Sequence, residues 1–125
     1  MKLFLISRRD LDPAQQAVQA AHALTEFHQQ HGALAREWYE KSNTLAFLSV
    51  ADEKALGVLL RKARDRVVSV SAFREPDRQN ELTALALGYE GRRLVRNLPL
   101  ALQETSCCAS ASSAPVITIA GGIPS

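Results

Sequence analysis

Three short apolar runs, separated by two segments of helical periodicity, constrain this chain more than any other feature. Leu3–Ile6 ("LFLI"), Thr44–Val50 ("TLAFLSV") and Arg66–Phe73 ("RVVSVSAF") read as buried strands. A helix starts between the first two. Asp12 is suited to cap it, Pro13 fits its first position, and Gln15 follows the cap by three residues as in a capping box. It is expected to run to about His31, with Gly32 supplying a left-handed terminus. Asp52 caps a second helix, in which Ala55, Leu56, Leu59, Leu60 and Ala63 recur at helical spacing. Strand, helix, strand, helix, strand is the pattern of parallel strands joined by crossovers. The polar loop "REPDRQNE" then leads to a fourth strand, Leu82–Leu87, expected to lie antiparallel to the third. The expected fold is α/β: a three-layer sandwich in which helices flank a four-stranded mixed β-sheet.

Composition sets the limits of this reading. The chain has 125 residues, 46% hydrophobic and 22% charged, which suits one ordinary globular domain. Residues 1–104 are expected to form it. The segment 33–43 reads as a connection carrying Trp38 and Tyr39. After Gly88, "YEGRRLVRNLPLAL" places Leu94, Val95 and Leu98 at helical spacing until Pro99 stops it. From Thr105 to Ser125 charge disappears and Ser, Ala, Cys and Gly take over, so residues 105–125 read as a flexible tail. Within it "VITI", Val116–Ile119, has strand propensity and is able to join a sheet edge. Adjacent Cys107 and Cys108 fit no zinc spacing and read as free thiols. No apolar run is long enough for a bilayer, and the N-terminus lacks the features of a secretory signal; a cytoplasmic location is expected.

Three features carry chemistry. First, Gln15, Gln19, His22 and Glu26 fall in one arc of the first helix. Ala14, Ala17, Val18, Ala21 and Leu24 make its expected apolar face, so the arc reads either as solvent surface or as hydrogen-bonding groups presented to something. Second, the loop "EPDRQNE" gathers Glu75, Asp77 and Glu81. It reads as a turn, or as the source of a carboxylate that orients a histidine or a water. The helix start follows strand one and the loop follows strand three. If those strands are parallel, the two meet at the carboxyl edge of the sheet, where α/β folds bind ligands. Glu75 or Asp77 should then reach Gln15, Gln19 or, less firmly, His22. Third, Arg8 and Arg9, the basic end of the second helix, and Arg92, Arg93 and Arg96 form clusters able to hold a phosphate backbone, although the net charge is only +2. No Gly-rich phosphate loop, metal-ligand set or nucleophile elbow is present.

These pieces together resemble the type II peptidyl-tRNA hydrolases. "KLFLISRRDLDPAQQAVQAAHA" is similar to that family's opening, which ends in a Gln-x-x-His-Ala motif, here Gln19 to Ala23. "LAFLSVADEKALGVLLRKA" is similar to its second strand and the start of its second helix, and "FREPDRQNELTALALG" to its acidic loop and last strand. The family cleaves the ester between a peptide and the 3′ end of a tRNA, using a lysine, an aspartate and a threonine. Gln19 and His22 match directly. The lysine falls on Gln15, the aspartate on Glu75, and the threonine on Glu81 or, with a shifted gap, on Thr83. Pro76-Asp77 replaces the family's Ala-Gly.

The resemblance implies hydrolysis of a peptidyl or N-blocked aminoacyl ester on tRNA, recycling the tRNA, with no metal or cofactor and no membrane partner; a homodimer is kept open. The expected site comprises Gln15, Gln19, His22, Glu75, Asp77, Glu81 and Thr83, with Arg8, Arg9, Arg92, Arg93 and Arg96 on tRNA phosphates. A non-catalytic RNA-binding relative, or a hydrolase of another small acyl compound, stands beside it. Loss of the lysine at Gln15 favours binding; retention of His22 near a carboxylate favours catalysis.

Overall fold

The computed structural model describes residues 1–103 and 118–120. Cys107, Cys108 and most of the expected tail lie outside the described residues. In chain order the elements are β1 (Lys2–Arg8), α1 (Pro13–Gln30), α2 (Gly32–Lys41), β2 (Thr44–Val50), α3 (Glu53–Asp65), β3 (Val70–Glu75), β4 (Glu81–Leu87), α4 (Arg92–Val95) and β5 (Thr118–Ala120). The sheet order is β3-β4-β1-β2-β5. β1 and β2 are parallel, with Ile6 opposite Leu48. β4 is antiparallel to both β1 and β3, which makes β3 parallel to β1. The four expected strands therefore form a mixed sheet, and β5 adds three antiparallel pairs along Thr44–Ala46.

The connections decide which helix covers which face. The chain steps from β1 to β2 in one direction and from β2 back to β3 in the other. Crossovers of one hand then put their helices on opposite faces. α1 and α2 pack on one apolar layer built from Leu3, Leu5, Phe27, Trp38, Phe47, Ala84 and Ala86. α3 and α4 pack on the other, built from Phe4, Ile6, Leu48, Leu56, Leu60, Leu85, Leu87 and Val95. This is the expected three-layer arrangement.

Both helix starts are capped by the expected aspartates, but Gln15 Oε1 accepts from Gln19 instead of making the reciprocal bond of a capping box. Oδ1 of Asp12 accepts from the Gln15 N–H at 2.9 Å, and Oδ1 of Asp52 accepts from the Ala55 N–H at 2.9 Å. Three local readings need correction. Gly32 does not end a helix; it begins α2, so residues 33–41 are helical, and Trp38 docks with its indole N–H on the Thr44 carbonyl at 2.8 Å. β3 starts at Val70 because Arg66–Val68 are consumed in ending α3: the Val67 N–H bonds the Arg64 carbonyl and the Val68 N–H that of Ala63. The buried face of α1 is also not the alanine face. Gln16, Gln19, Ala20, Ala23 and Phe27 are buried, whereas Ala14, Ala17, Val18 and Ala21 face solvent. Buried glutamines are tolerated when every amide group finds a partner. Gln16 does so by donating to the Leu11 carbonyl at 2.7 Å and accepting from the Ser7 hydroxyl at 3.0 Å.

Candidate active site

The β1–α1 turn and the β3–β4 hairpin meet at one edge of the sheet because β1 and β3 run parallel. Gln19, 1% exposed, stands at the centre of what they bring together. Its Nε2 donates to Oε1 of Glu75 at 2.8 Å and to Oε1 of Gln15 at 3.1 Å. Its Oε1 accepts from the Thr83 hydroxyl at 2.9 Å. Oε2 of Glu75 also accepts from the Asp77 backbone N–H at 3.3 Å.

The chemistry of one partner fixes the polarity of the whole network. An ionised carboxylate only accepts. The Gln19 atom facing Glu75 must therefore be its NH2, which turns the carbonyl oxygen toward Thr83. The second Gln19 N–H meets the carbonyl oxygen of Gln15, so the Gln15 NH2 is left pointing outward, with no acceptor among the described residues. The Gln19 amide and the Asp77 N–H, with a contribution from the charge on His22, hold the Glu75 carboxyl below its ordinary value of 4.5. The site thus offers an ionised carboxylate with spare lone pairs beside an outward amide donor.

Thr83 owes its position to an irregularity in β4. Phe73 pairs with Ala84 and Arg74 with Leu82, so Thr83 has no partner on β3. This β-bulge shifts the alternation by one. Leu82 joins Leu85 and Leu87 on the α3 side, and Thr83 turns to the α1 side with Ala84. Of the two positions left open for the family's threonine, Thr83 is the one in contact with Gln19.

The other expected site residues are placed differently. His22 is exposed and stacks on Phe73, ring centroids 4.4 Å apart and planes at 10°, without a hydrogen bond to Glu75. Asp77 contributes its backbone N–H rather than its carboxylate. Glu81 does not bond Gln19: its Oε1 accepts from Nη1 of Arg8 at 2.8 Å and Nε of Arg78 at 3.4 Å. Arg8 is 5% exposed and is not placed to meet a phosphate. It forks onto Asp10 (Nε–Oδ1 2.9 Å, Nη2–Oδ2 2.8 Å) and also donates to the Leu82 carbonyl at 3.0 Å. Asp10 was not singled out from the sequence; its place two residues after Arg8, beyond a strand end, was the available signal. Arg9 is exposed at the same edge and reaches Ser49 Oγ at 3.1 Å.

Arg92 and Arg93 on α4, and Arg96 just after it, are exposed on the sheet face opposite Gln19. Arg92 lies over the Tyr89 ring, 4.5 Å from its centroid. Arg93 joins Lys54, Lys62 and Arg66 around a groove of about 710 Å³ between α3 and α4, floored by Val50, Leu59 and other apolar residues. The Arg9 N–H bonds the carbonyl of Val50 at 2.8 Å, so one end of this groove abuts the strand edge that carries the Gln19 cluster. No metal-binding group of three or more His, Cys, Asp or Glu side chains occurs among the described residues, nor a helix long and apolar enough to cross a membrane.

A family model described as peptidyl-tRNA hydrolase PTH2 matches residues 1–103. No curated protein matches the chain. A solved structure of a protein of unknown function from Agrobacterium tumefaciens strain C58 is similar, with a TM-score of 0.57 and 14% identity over 79% of this chain and 96% of that one. At that identity the likeness concerns the fold. The element order, the Gln-x-x-His helix and the family match over 103 of 125 residues agree: this chain belongs to the peptidyl-tRNA hydrolase PTH2 family.

Proposed function

We propose that this chain hydrolyses the ester linking a peptidyl or N-blocked aminoacyl group to the 3′ end of tRNA, in the cytoplasm, at the Gln15–Gln19–Glu75–Thr83 cluster. One observation carries the reading: the hydrogen-bond polarity that leaves an ionised Glu75 and an outward Gln15 amide side by side at the carboxyl edge of the sheet. A water held by Glu75 attacks the ester carbonyl and passes its proton to the carboxylate. The Gln15 NH2 donates to the oxygen on which negative charge develops. The C–O bond to the terminal ribose then breaks, and the departing oxygen takes the proton back from Glu75. Gln19 and Thr83 hold the two reacting groups in register.

The tRNA body is held by exposed cations. Arg9 marks the edge, and Arg93, Lys54, Lys62 and Arg66 line the groove that starts beside it. None of these five forms an ion pair with a carboxylate among the described residues. Arg92 and Arg96 extend the basic surface along α4.

A second reading, an RNA-binding relative without catalysis, is favoured by Gln15 itself. A neutral amide stabilises an oxyanion less than the ammonium the family's lysine supplies. Incubating the purified chain with N-acetyl-aminoacyl-tRNA separates the readings. Release of the acyl group supports the hydrolase; salt-sensitive binding without release supports the binding protein. Cleavage of simple acyl esters without tRNA affinity would point to a different substrate.

A further inference from the structure

We propose that Arg8 and Glu53, on the sheet face away from Gln19, are positioning residues that grip the backbone of Leu82 and so hold the bulge that aims Thr83 at Gln19. For its catalytic consequence this rests on the hydrolase reading; for its structural content it does not.

The ladder of β4 with β1 ends at the Ser7–Ala84 pair, so the backbone groups of Leu82, next to the unpaired Thr83, need partners beyond that ladder. At Leu82 both partners are charged side chains from other elements. The Leu82 N–H donates to Oε2 of Glu53 at 2.9 Å, and the Leu82 carbonyl accepts from Nη1 of Arg8 at 3.0 Å. Such charge-assisted bonds are about twice as strong as neutral ones. Each grip is itself anchored. Glu53 is the first residue of α3, where the helix dipole favours negative charge. Arg8 sits at the end of β1, forked by Asp10 and bonded to Glu81, with four of its five N–H groups engaged. A guanidinium can serve all of these directions at once; a lysine cannot.

The consequence reaches the site through one residue. A regular β4 would alternate Thr83 onto the α3 side with Leu85 and Leu87. Held in the bulge, Thr83 donates its single hydroxyl proton to Gln19 Oε1, with Phe73 O at 3.2 Å as the minor acceptor. That bond keeps the Gln19 NH2 aimed at Glu75 and Gln15. The order of action is Arg8 and Glu53, then Leu82, then Thr83, then Gln19 and Glu75.

The test compares Glu53→Ala, Arg8→Lys, Thr83→Ala and the double variant Glu53→Ala/Thr83→Ala with the parent chain. The side-chain amide resonances of Gln19 are followed by NMR, and kcat and KM are measured on N-acetyl-aminoacyl-tRNA. The Gln19 resonances are expected to move in each single variant, and kcat to fall about tenfold or more with KM within about twofold. The double variant is expected to be no slower than about twofold below Thr83→Ala alone, because both changes remove one interaction. If Arg8→Lys does not fold, Glu53→Ala decides the matter. Unmoved Gln19 resonances, unchanged kcat, or additive losses in the double variant would overturn the proposal and leave Arg8 and Glu53 as mere supports of the hairpin. If the parent chain cleaves no ester, the hydrolase reading fails on its own, and the Gln19 resonances still decide whether the grip on Leu82 orients that amide.

Discussion

The Gln19 side chain donates to Glu75 at 2.8 Å although the two residues stand 56 positions apart. The bond joins the helix after β1 to the loop after β3, and it exists because those strands are parallel with β4 between them. It also lowers the Glu75 pKa, since the amide N–H bonds the charged carboxylate more strongly than the neutral acid.

Replacing Gln19 with leucine should therefore raise the Glu75 pKa from its depressed position toward the ordinary 4.5. NMR titration of the Glu75 carboxyl carbon checks this. An unchanged titration in Gln19→Leu would mean that the amide does not hold the carboxylate.

The Arg8 fork makes a prediction about acid. Hydrogen bonds from Arg8 depress Asp10 from 3.8 and Glu81 from 4.5. Carboxyls depressed on folding add stability that is present above those ordinary values and is lost as pH falls through the lower folded ones. Urea unfolding between pH 7 and pH 3 should show stability declining below about pH 4.5. Arg8→Met should be less stable at pH 7, with a shallower decline. Parallel curves for the two proteins would contradict the pairing.

Val67 supplies a stability prediction away from the site. It ends α3 with φ of 57°, a left-handed conformation that β-branched side chains resist, and it is 88% exposed, so its side chain packs on little. Val67→Gly should stabilise the chain by about 1 kcal/mol and raise Tm by a few degrees. A lowered Tm would show that Val67 is not strained.

The C-terminal segment gives a fourth. A chain ending at residue 104 should keep the fold and lose no more than a few degrees in Tm, about 1 kcal/mol for a domain of this size. Pro99–Ala101 already bond Phe47 and Ser49 on the outer edge of β2, so among the described residues truncation uncovers only Thr44–Ala46. A larger drop would make β5 part of the folding unit.

Much of this fold could be read from the chain because its local signals agree with one another. The strand runs were continuous and apolar, and Asp12–Pro13 and Asp52 each announced a helix in its first turn. What could not be read followed from tertiary partners. Gln16 was not singled out, and Gln19 read either as solvent surface or as a hydrogen-bonding group, because only Ser7, Leu11, Thr83 and Glu75 show how their buried amides are satisfied. α2 was hidden because Gly32 resembled a stop, whereas the break at His31 takes one residue with φ of −132° and the next helix begins at once. The candidate site was half legible: resemblance and loop position pointed to Glu75, which lies beside Gln19, but neither reveals a bulge. Only the pairing of β3 with β4 separates Thr83 from Glu81, and only the Asp10 fork shows that Arg8 serves the interior and not a phosphate.

The most direct measurement is the rate at which the chain and its Glu75→Gln variant release the acyl group from N-acetyl-aminoacyl-tRNA. The variant keeps the size of the side chain and lacks the charge. The account predicts cleavage by the parent chain and a loss of about a hundredfold or more in the variant, with tRNA affinity unchanged. Equal rates in the two proteins, or tRNA binding with no cleavage by the parent, would contradict it.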